Sequence, residues 1–267
     1  MMNPVLSRIT IYPIKSLDGH SLQKAIISDG GCLLHDREYA ISDAEGNLLI
    51  GKSNSLVHSL RSAIHFETST VSFRPNKDIS WQHFHLEKEK VKIQSFLSDY
   101  FGTETLFLQN KKGRFMDIPD ISGVTVISSA SLHEIATWFN NLEVEETRMR
   151  FRATIEIEDV PAFWEDHLFS EEGKAIEFKI GEVTLLGISP RARCVVPTRN
   201  PGTGEVTHGF PRSFSKHRAS TLPSWSTLEK YGHHYYLTVN CYIPATEVGK
   251  AIEVGQELKI IGEKYLS

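Results

Sequence analysis

The chain has 267 residues, with 29 Lys and Arg against 33 Asp and Glu, 12 His, and a formal net charge of −4. Hydrophobic residues at 40% and charged residues at 23% exclude a disordered, collagen-like or coiled-coil chain, and the negative balance argues against a general nucleic-acid binder. The length allows one large domain or two modest ones, and neither needs a staple to bury a core.

The opening Met1–Arg8 lacks the apolar stretch of a signal peptide. No apolar run approaches the roughly 18–20 residues of a membrane span, so a cytoplasmic protein without a membrane span is expected. Val5–Ile14 reads as a strand, followed by a turn at Ser16–Gly19 and a second strand over Ser21–Asp29. Glu38–Ser42 and Leu48–Ile50 flank the turn-rich Asp43–Asn47 as a hairpin, Ile64–Thr68 and Thr70–Arg74 form another, and Trp81–Leu86 is a further strand. Lys90–Phe101 has helical spacing with Gly102 as its stop, and a second helix carries Leu132, Ile135, Ala136 and Phe139 behind a cap at Ser129 or Ser131. Strands then resume at Arg152–Ile157, Ala175–Ile180, Val183–Ile188, Cys194–Thr198, Tyr235–Tyr242 and Leu258–Ile261, and Gly204–Leu222 reads as a long loop with one helix at most. The polar stretch Lys111–Asp120 suggests a boundary between domains 1–115 and 116–267. Many short strands with few helices predict a mixed, mostly β architecture of barrel type.

Three cysteines, Cys32, Cys194 and Cys241, are too few and odd in number for a disulfide framework. Cys32 and Cys241 sit in apolar runs and read as packing residues. Cys194 sits between Arg193 and Arg199; it reads either as a third packing residue or, because nearby guanidiniums favour the thiolate, as a nucleophile or metal ligand. Arg148, Arg150 and Arg152 at alternate positions would share one face of a strand. With Arg191, Arg193, Arg199, Arg212 and Arg218 they form a cationic set, which reads either as a solvated face or as a pocket for one small, multiply charged anion. The pairs His83/His85 and His233/His234 lack a partner at metal-ligand spacing, and no Walker loop, Gly-x-Ser-x-Gly elbow or paired-cysteine cluster occurs.

Five islands, in order, resemble MOSC-domain proteins with an N-terminal MOSC β-barrel. Ile11–Gly19 is similar to the opening YP-V-K-S-x-x-G element, His35–Tyr39 to hDR-x-[WY], Ile127–Leu132 to the S-x-A-S-L helix start, Arg150–Ile155 to RFRPNI, and Arg191–Gly204 to C-x-RC-x-x-P-T-x-D-P-x-TG. The family includes the mitochondrial amidoxime reducing component. The resemblance implies a β-barrel N-terminal domain packed on a MOSC β-barrel domain, together holding a molybdenum cofactor, Mo-molybdopterin; pyridoxal phosphate is not expected. It implies Cys194 as the catalytic metal ligand. Lys15, Ser16, Arg37, Ser129, Arg150, Arg152, Thr154, Arg193 and Thr198 are implied around the pterin and its phosphate. Among the departures from the pattern, Thr154 stands where the family has Asn, and Arg191 replaces a Cys that is not the metal ligand. The implied activity is reduction of small N-hydroxylated substrates, fed by a separate electron donor such as a flavin reductase, a ferredoxin or a cytochrome b5-like protein. The alternatives are a cofactor or sulfur carrier without turnover, and a plain polyanion-binding barrel.

Overall fold

The computed structural model describes residues 4–76, 80–112, 114–118 and 123–266. In chain order the first strands are β1 (Val5–Ile11), β2 (His20–Leu22), β3 (Lys24–Ile26), β4 (Tyr39–Asp43), β5 (Leu60–His65), β6 (Thr70–Pro75) and β7 (Gln82–His85). Helix α1 (Lys90–Phe101) leads to β8 (Thr105–Gln109), β9 (Val124–Ser128), α2 (Ser129–Thr137), α3 (Val144–Phe151) and β10 (Ile155–Glu158). The chain continues through β11 (Lys174–Ile180), β12 (Val183–Ala192), α4 (Phe210–Ser220), β13 (Tyr236–Tyr242), β14 (Ala251–Glu253) and β15 (Leu258–Tyr265). The protein is mostly β, and among the described residues no helix is long and apolar enough to cross a membrane.

One eight-stranded sheet, in the order β15-β11-β12-β13-β9-β10-β1-β2, dominates. It draws strands from both sides of the expected 115/116 boundary, because β1 pairs antiparallel with β10 in the register Val5↔Glu158 to Ile9↔Ile155. The boundary stretch itself falls partly on residues 113, 119 and 120, outside the described residues. Along β1, a register shift between Leu6 and Arg8 breaks the strict alternation, so that Leu6, Ile9 and Ile11 all enter a core shared with Val126, Ile157, Phe178 and Val239. A second core, built on β4–β8 and α1, centres on Phe73, Leu97 and Phe107, and a third joins the helices through Phe151, Phe210 and Phe214. Gly187 in β12 passes so close to the Leu168 carbonyl that an added Cβ would lie 1.7 Å from its oxygen.

The β5/β6 hairpin and α1 form where the sequence predicts them, with Gly102 closing α1 in the left-handed conformation. Several expectations are corrected. Ser21–Asp29 is not one strand: β2 joins the large sheet while β3 pairs with β14. Strand β4 takes β8 as its ladder partner, and its expected hairpin with Leu48–Ile50 is reduced to the bridge Ser42↔Leu48, with the Asp43 N–H donating to the Asn47 carbonyl and the Leu49 N–H to that of Ile41. The cap of α2 is Ser128, whose side chain accepts from the Ser131 N–H, rather than Ser129 or Ser131. Arg148 and Arg150 lie on helix α3, not on a strand, so they share no strand face with Arg152. Cys194–Thr198 is a bend leading into a short 3-10 turn over Val196–Thr198, with Pro197 at its start, where a strand was expected. The one helix allowed for in the long loop Gly204–Leu222 is present as α4.

Candidate functional site

Loops from both halves of the chain enclose a cavity of about 440 Å³. The first wall comes from the segment after β1. Tyr12 anchors it: its N–H donates to Asp36 Oδ1 at 2.7 Å, and its hydroxyl donates to the Ala153 carbonyl at 3.3 Å. Asp36, fully buried, also pairs with Arg37. The Tyr12 ring lies 5.1 Å from the Arg37 guanidinium and 4.0 Å from that of Arg152, so one aromatic group braces two like charges. Asp36 raises the Arg37 pKa in spite of burial, whereas burial lowers that of Arg152. Ser16, Arg37 and Arg152 have φ of 69°, 52° and 54°. Left-handed backbone at a non-glycine residue costs roughly 1–2 kcal/mol, and such strain gathers at functional sites.

Lys15 Nζ donates to the Phe115 carbonyl and to Asp117 Oδ1, both at 2.6 Å. Arg191 reaches the other Asp117 oxygen at 3.0 Å. Burial lowers the Lys15 pKa, while Lys15 and Arg191 hold the Asp117 carboxyl well below the usual carboxylate range against its own burial. On the opposite wall, Arg150 donates to the Pro197 carbonyl at 2.7 Å and pairs with Glu146, also at 2.7 Å. Arg193 donates to the Phe151 carbonyl at 2.9 Å, and its guanidinium lies 5.3 Å from the Phe151 ring. Burial pulls its pKa down to about 10.

Cys194 lines this cavity, half-buried, with the Val196 N–H facing its Sγ at 3.5 Å. Cys32 and Cys241 are buried in the core, and burial pushes both thiols up. The structure therefore separates one solvent-reachable thiol from two packing thiols.

Of the residues named from sequence, Lys15, Ser16, Arg37, Arg150, Arg152, Arg193 and Cys194 line the cavity together. Ser129, Thr154 and Thr198 do not. Ser129 donates to Glu156 Oε1 at 2.9 Å in the first turn of α2. The Thr154 hydroxyl is buried against Thr125, accepting from its N–H at 2.7 Å and donating to its carbonyl at 3.1 Å. The Thr198 hydroxyl donates to the Val195 carbonyl at 2.6 Å, fixing the turn after Cys194. Of the wider basic set, Arg212 is exposed on α4, and Arg218 is buried against Asp166, away from the cavity. Sequence reasoning missed Asp117, Tyr12, Lys52 and His58 as lining residues. Asp117 lay in a stretch read as a boundary, and its signal was a lone carboxylate between Phe115 and Ile118.

Eleven Lys and Arg side chains line the cavity against three carboxylates, Asp18, Asp117 and Glu145. Seven of the cations pair with a carboxylate, whereas Lys52, Arg152, Arg193 and Arg199 have no such partner among the described residues. The Nε atoms of Arg193 and Arg199 are buried without an acceptor among the described residues. Buried donors left unpaired cost roughly 1–3 kcal/mol each. A donor set of this kind fits a phosphorylated ligand, and the adjacent thiol fits a soft metal.

This arrangement defines a mostly β protein with a cationic cavity around one accessible cysteine. The MOSC N-terminal beta barrel domain family matches residues 3–115 and the MOSC domain family residues 118–259, so the chain belongs to the MOSC-domain family, which is associated with molybdenum-cofactor binding. No match was found among curated protein sequences. A solved structure similar to part of the chain is that of YiiM from Geobacillus stearothermophilus, at 14% identity and a TM-score of 0.30. The match covers 52% of this chain and 54% of that one, so the chain spans about half of that protein's length.

Proposed function

We propose that this chain is a cytoplasmic molybdenum-cofactor-dependent oxidoreductase that reduces N-hydroxylated compounds such as amidoximes and hydroxylamines, with electrons from a separate redox protein. The observation that carries this reading is a half-exposed Cys194 on the wall of a cavity where Arg152 and Arg193 lack carboxylate partners among the described residues. Cys194 would ligate the metal as thiolate. Lys15, Ser16, Arg37, Arg150, Arg152 and Arg193 would hold the pterin and its phosphate. When bound, the cofactor supplies two-electron redox chemistry, and the net change is N–OH plus two electrons and two protons to N–H plus water. The chain's own residues do the positioning. Arg193 spends one nitrogen on the Phe151 carbonyl and keeps Nε for an acceptor. Thr154 acts through Thr125, which lines the cavity, and Thr198 by fixing the bend that carries Cys194. In this reading 1–115 and 116–267 are two domains that meet at the cavity.

The test is molybdenum content per chain, pterin fluorescence after oxidation, and benzamidoxime reduction with reduced viologen, using protein from a cofactor-competent host. Molybdenum with turnover, both lost in Cys194→Ala, is the expected result. Protein without molybdenum or pterin from such a host overturns the reading, and metal without reduction shifts the assignment to a cofactor carrier.

A further inference from the structure

One end of the cavity holds more positive charge than a single cofactor phosphate requires. There the segment 50–61 faces the loop 199–204. Arg61 ties the two together: Nη2 donates to the carbonyls of His58 and Pro201, both at 3.0 Å, while Nη1 pairs with Asp18 at 3.2 Å. Arg199 donates from Nη1 to the Gly204 carbonyl at 3.1 Å. The Nε atoms of both arginines are buried and have no acceptor among the described residues. His58 also lines the cavity, with Nε2 at 3.3 Å from the Gly51 carbonyl oxygen. Burial, together with the charges of Arg199, Arg152 and Arg61, holds the His58 pKa below its ordinary value against the pull of that carbonyl. Lys52 stands exposed at the rim.

This cluster adjoins the thiol. A methyl group placed on Gly51 would meet His58 Nε2 at 2.9 Å and Val196 Cγ2 at 3.6 Å. Val196 is the residue whose N–H faces Cys194 Sγ. Arg61 and Arg199 therefore line the same cavity as Cys194, at the end where the segment 50–61 packs near the turn that follows the thiol. Holding several guanidiniums together, partly desolvated and with donors unpaired, is unfavourable unless an anion completes the site. A carboxylate or phosphate oxygen accepts from planar guanidinium donors in the manner these two arginines present.

We propose that this end of the cavity is an oxyanion subsite for the substrate, so that the N-hydroxylated compounds this chain reduces carry a carboxylate or phosphate group. The proposal rests on the reductase reading for the chemistry, but the binding it predicts is separable from turnover.

The experiment uses holoprotein. Reduction of benzamidoxime and of para-carboxybenzamidoxime by reduced viologen is measured for the wild type, Arg199→Gln and Lys52→Gln. Terephthalate, a dicarboxylate that cannot be reduced in this way, is titrated calorimetrically into each. The wild type is expected to show a kcat/KM about tenfold higher for the carboxylated substrate, as a charge-assisted hydrogen bond would give, and to bind terephthalate. Arg199→Gln is expected to collapse that ratio towards one and abolish terephthalate binding, with molybdenum per chain retained. Lys52→Gln, at the exposed rim, should lower the ratio less and covers the case in which Arg199→Gln fails to fold. Equal kcat/KM values and no terephthalate binding in the wild type would overturn the subsite. Loss of molybdenum in a folded Arg199→Gln would give that guanidinium to the cofactor and also overturn it. If neither amidoxime is reduced, the reductase reading fails, while terephthalate binding that depends on Arg199 still supports the subsite.

Discussion

Glu165 offers a quantitative test of the packing between α2 and the large sheet. It lies in the 3-10 turn Trp164–Leu168, fully buried. Its Oε2 accepts from the Ser131 hydroxyl at 2.9 Å and from the Ser128 N–H at 3.3 Å, while Oε1 has no partner. Burial first, and the charge of Asp166 second, push its pKa from 4.5 up to about 7. The folded chain thus keeps a proton on Glu165 over a range where the unfolded chain has lost it. The stability this confers is fully present below the unfolded value of 4.5 and is lost as pH rises through about 7. At about 1.4 kcal/mol per tenfold change in proton affinity, the loss amounts to about 3 kcal/mol. Glu165→Gln keeps the shape and carbonyl of the neutral acid and never ionises. Urea unfolding followed by tryptophan fluorescence should find the variant and wild type within about 1 kcal/mol of each other near pH 5. Near pH 8 the variant should be more stable by about 3 kcal/mol. The difference between the two proteins cancels the titration of the other groups. A difference that does not change across this range would mean that Glu165 is ionised throughout, and would refute the reasoning.

Other substitutions probe separate links. Ser128→Ala removes the cap of α2 and a buried bond to Ser131, and should cost about 1–2 kcal/mol in the same unfolding assay. Gly187→Ala would drive a Cβ into the Leu168 carbonyl, 1.7 Å away, and should leave little soluble folded protein on expression. Cys241→Ala should lower stability by about 1 kcal/mol without altering labelling by a thiol reagent in the native state, whereas Cys194→Ala should remove that labelling with little change in stability.

The hairpin β5/β6, helix α1 and the apolar strands of the large sheet could be read from the sequence because alternation or helical spacing was written in apolar side chains. Helix α3 was obscured: Val144–Phe151 has few apolar positions, and three arginines at alternate places imitate a strand. Its acidic first turn, Glu145 and Glu146, with Arg148 and Arg150 in the last turn, was the signal of helix polarity that could have revealed it. The site was legible where short motifs concentrate it, at Lys15–Ser16, Arg37 and Arg193–Cys194. Ser129, Thr154 and Thr198 were named with these, but each hydroxyl is taken by a neighbour in the fold. Asp117 and His58 stayed hidden because their roles come from tertiary neighbours, Lys15 and Arg191 for one, Arg61 and Arg199 for the other.

The pairing of β1 with β10 sets a timetable for synthesis. Val5 finds its partner in Glu158, roughly 150 residues later. At ribosomal speeds of about 5–20 residues per second, β1 emerges on the order of ten seconds before β10 exists. During that interval Leu6, Ile9 and Ile11, all buried at the end, sit on a strand that has only the three-residue β2 to pair with. Nascent chains of this kind are natural clients for chaperones that shield apolar strands. The cavity wall that carries Tyr12, Lys15 and Arg37 likewise waits for the wall that carries Cys194, so the cavity is complete only once that later segment has been made.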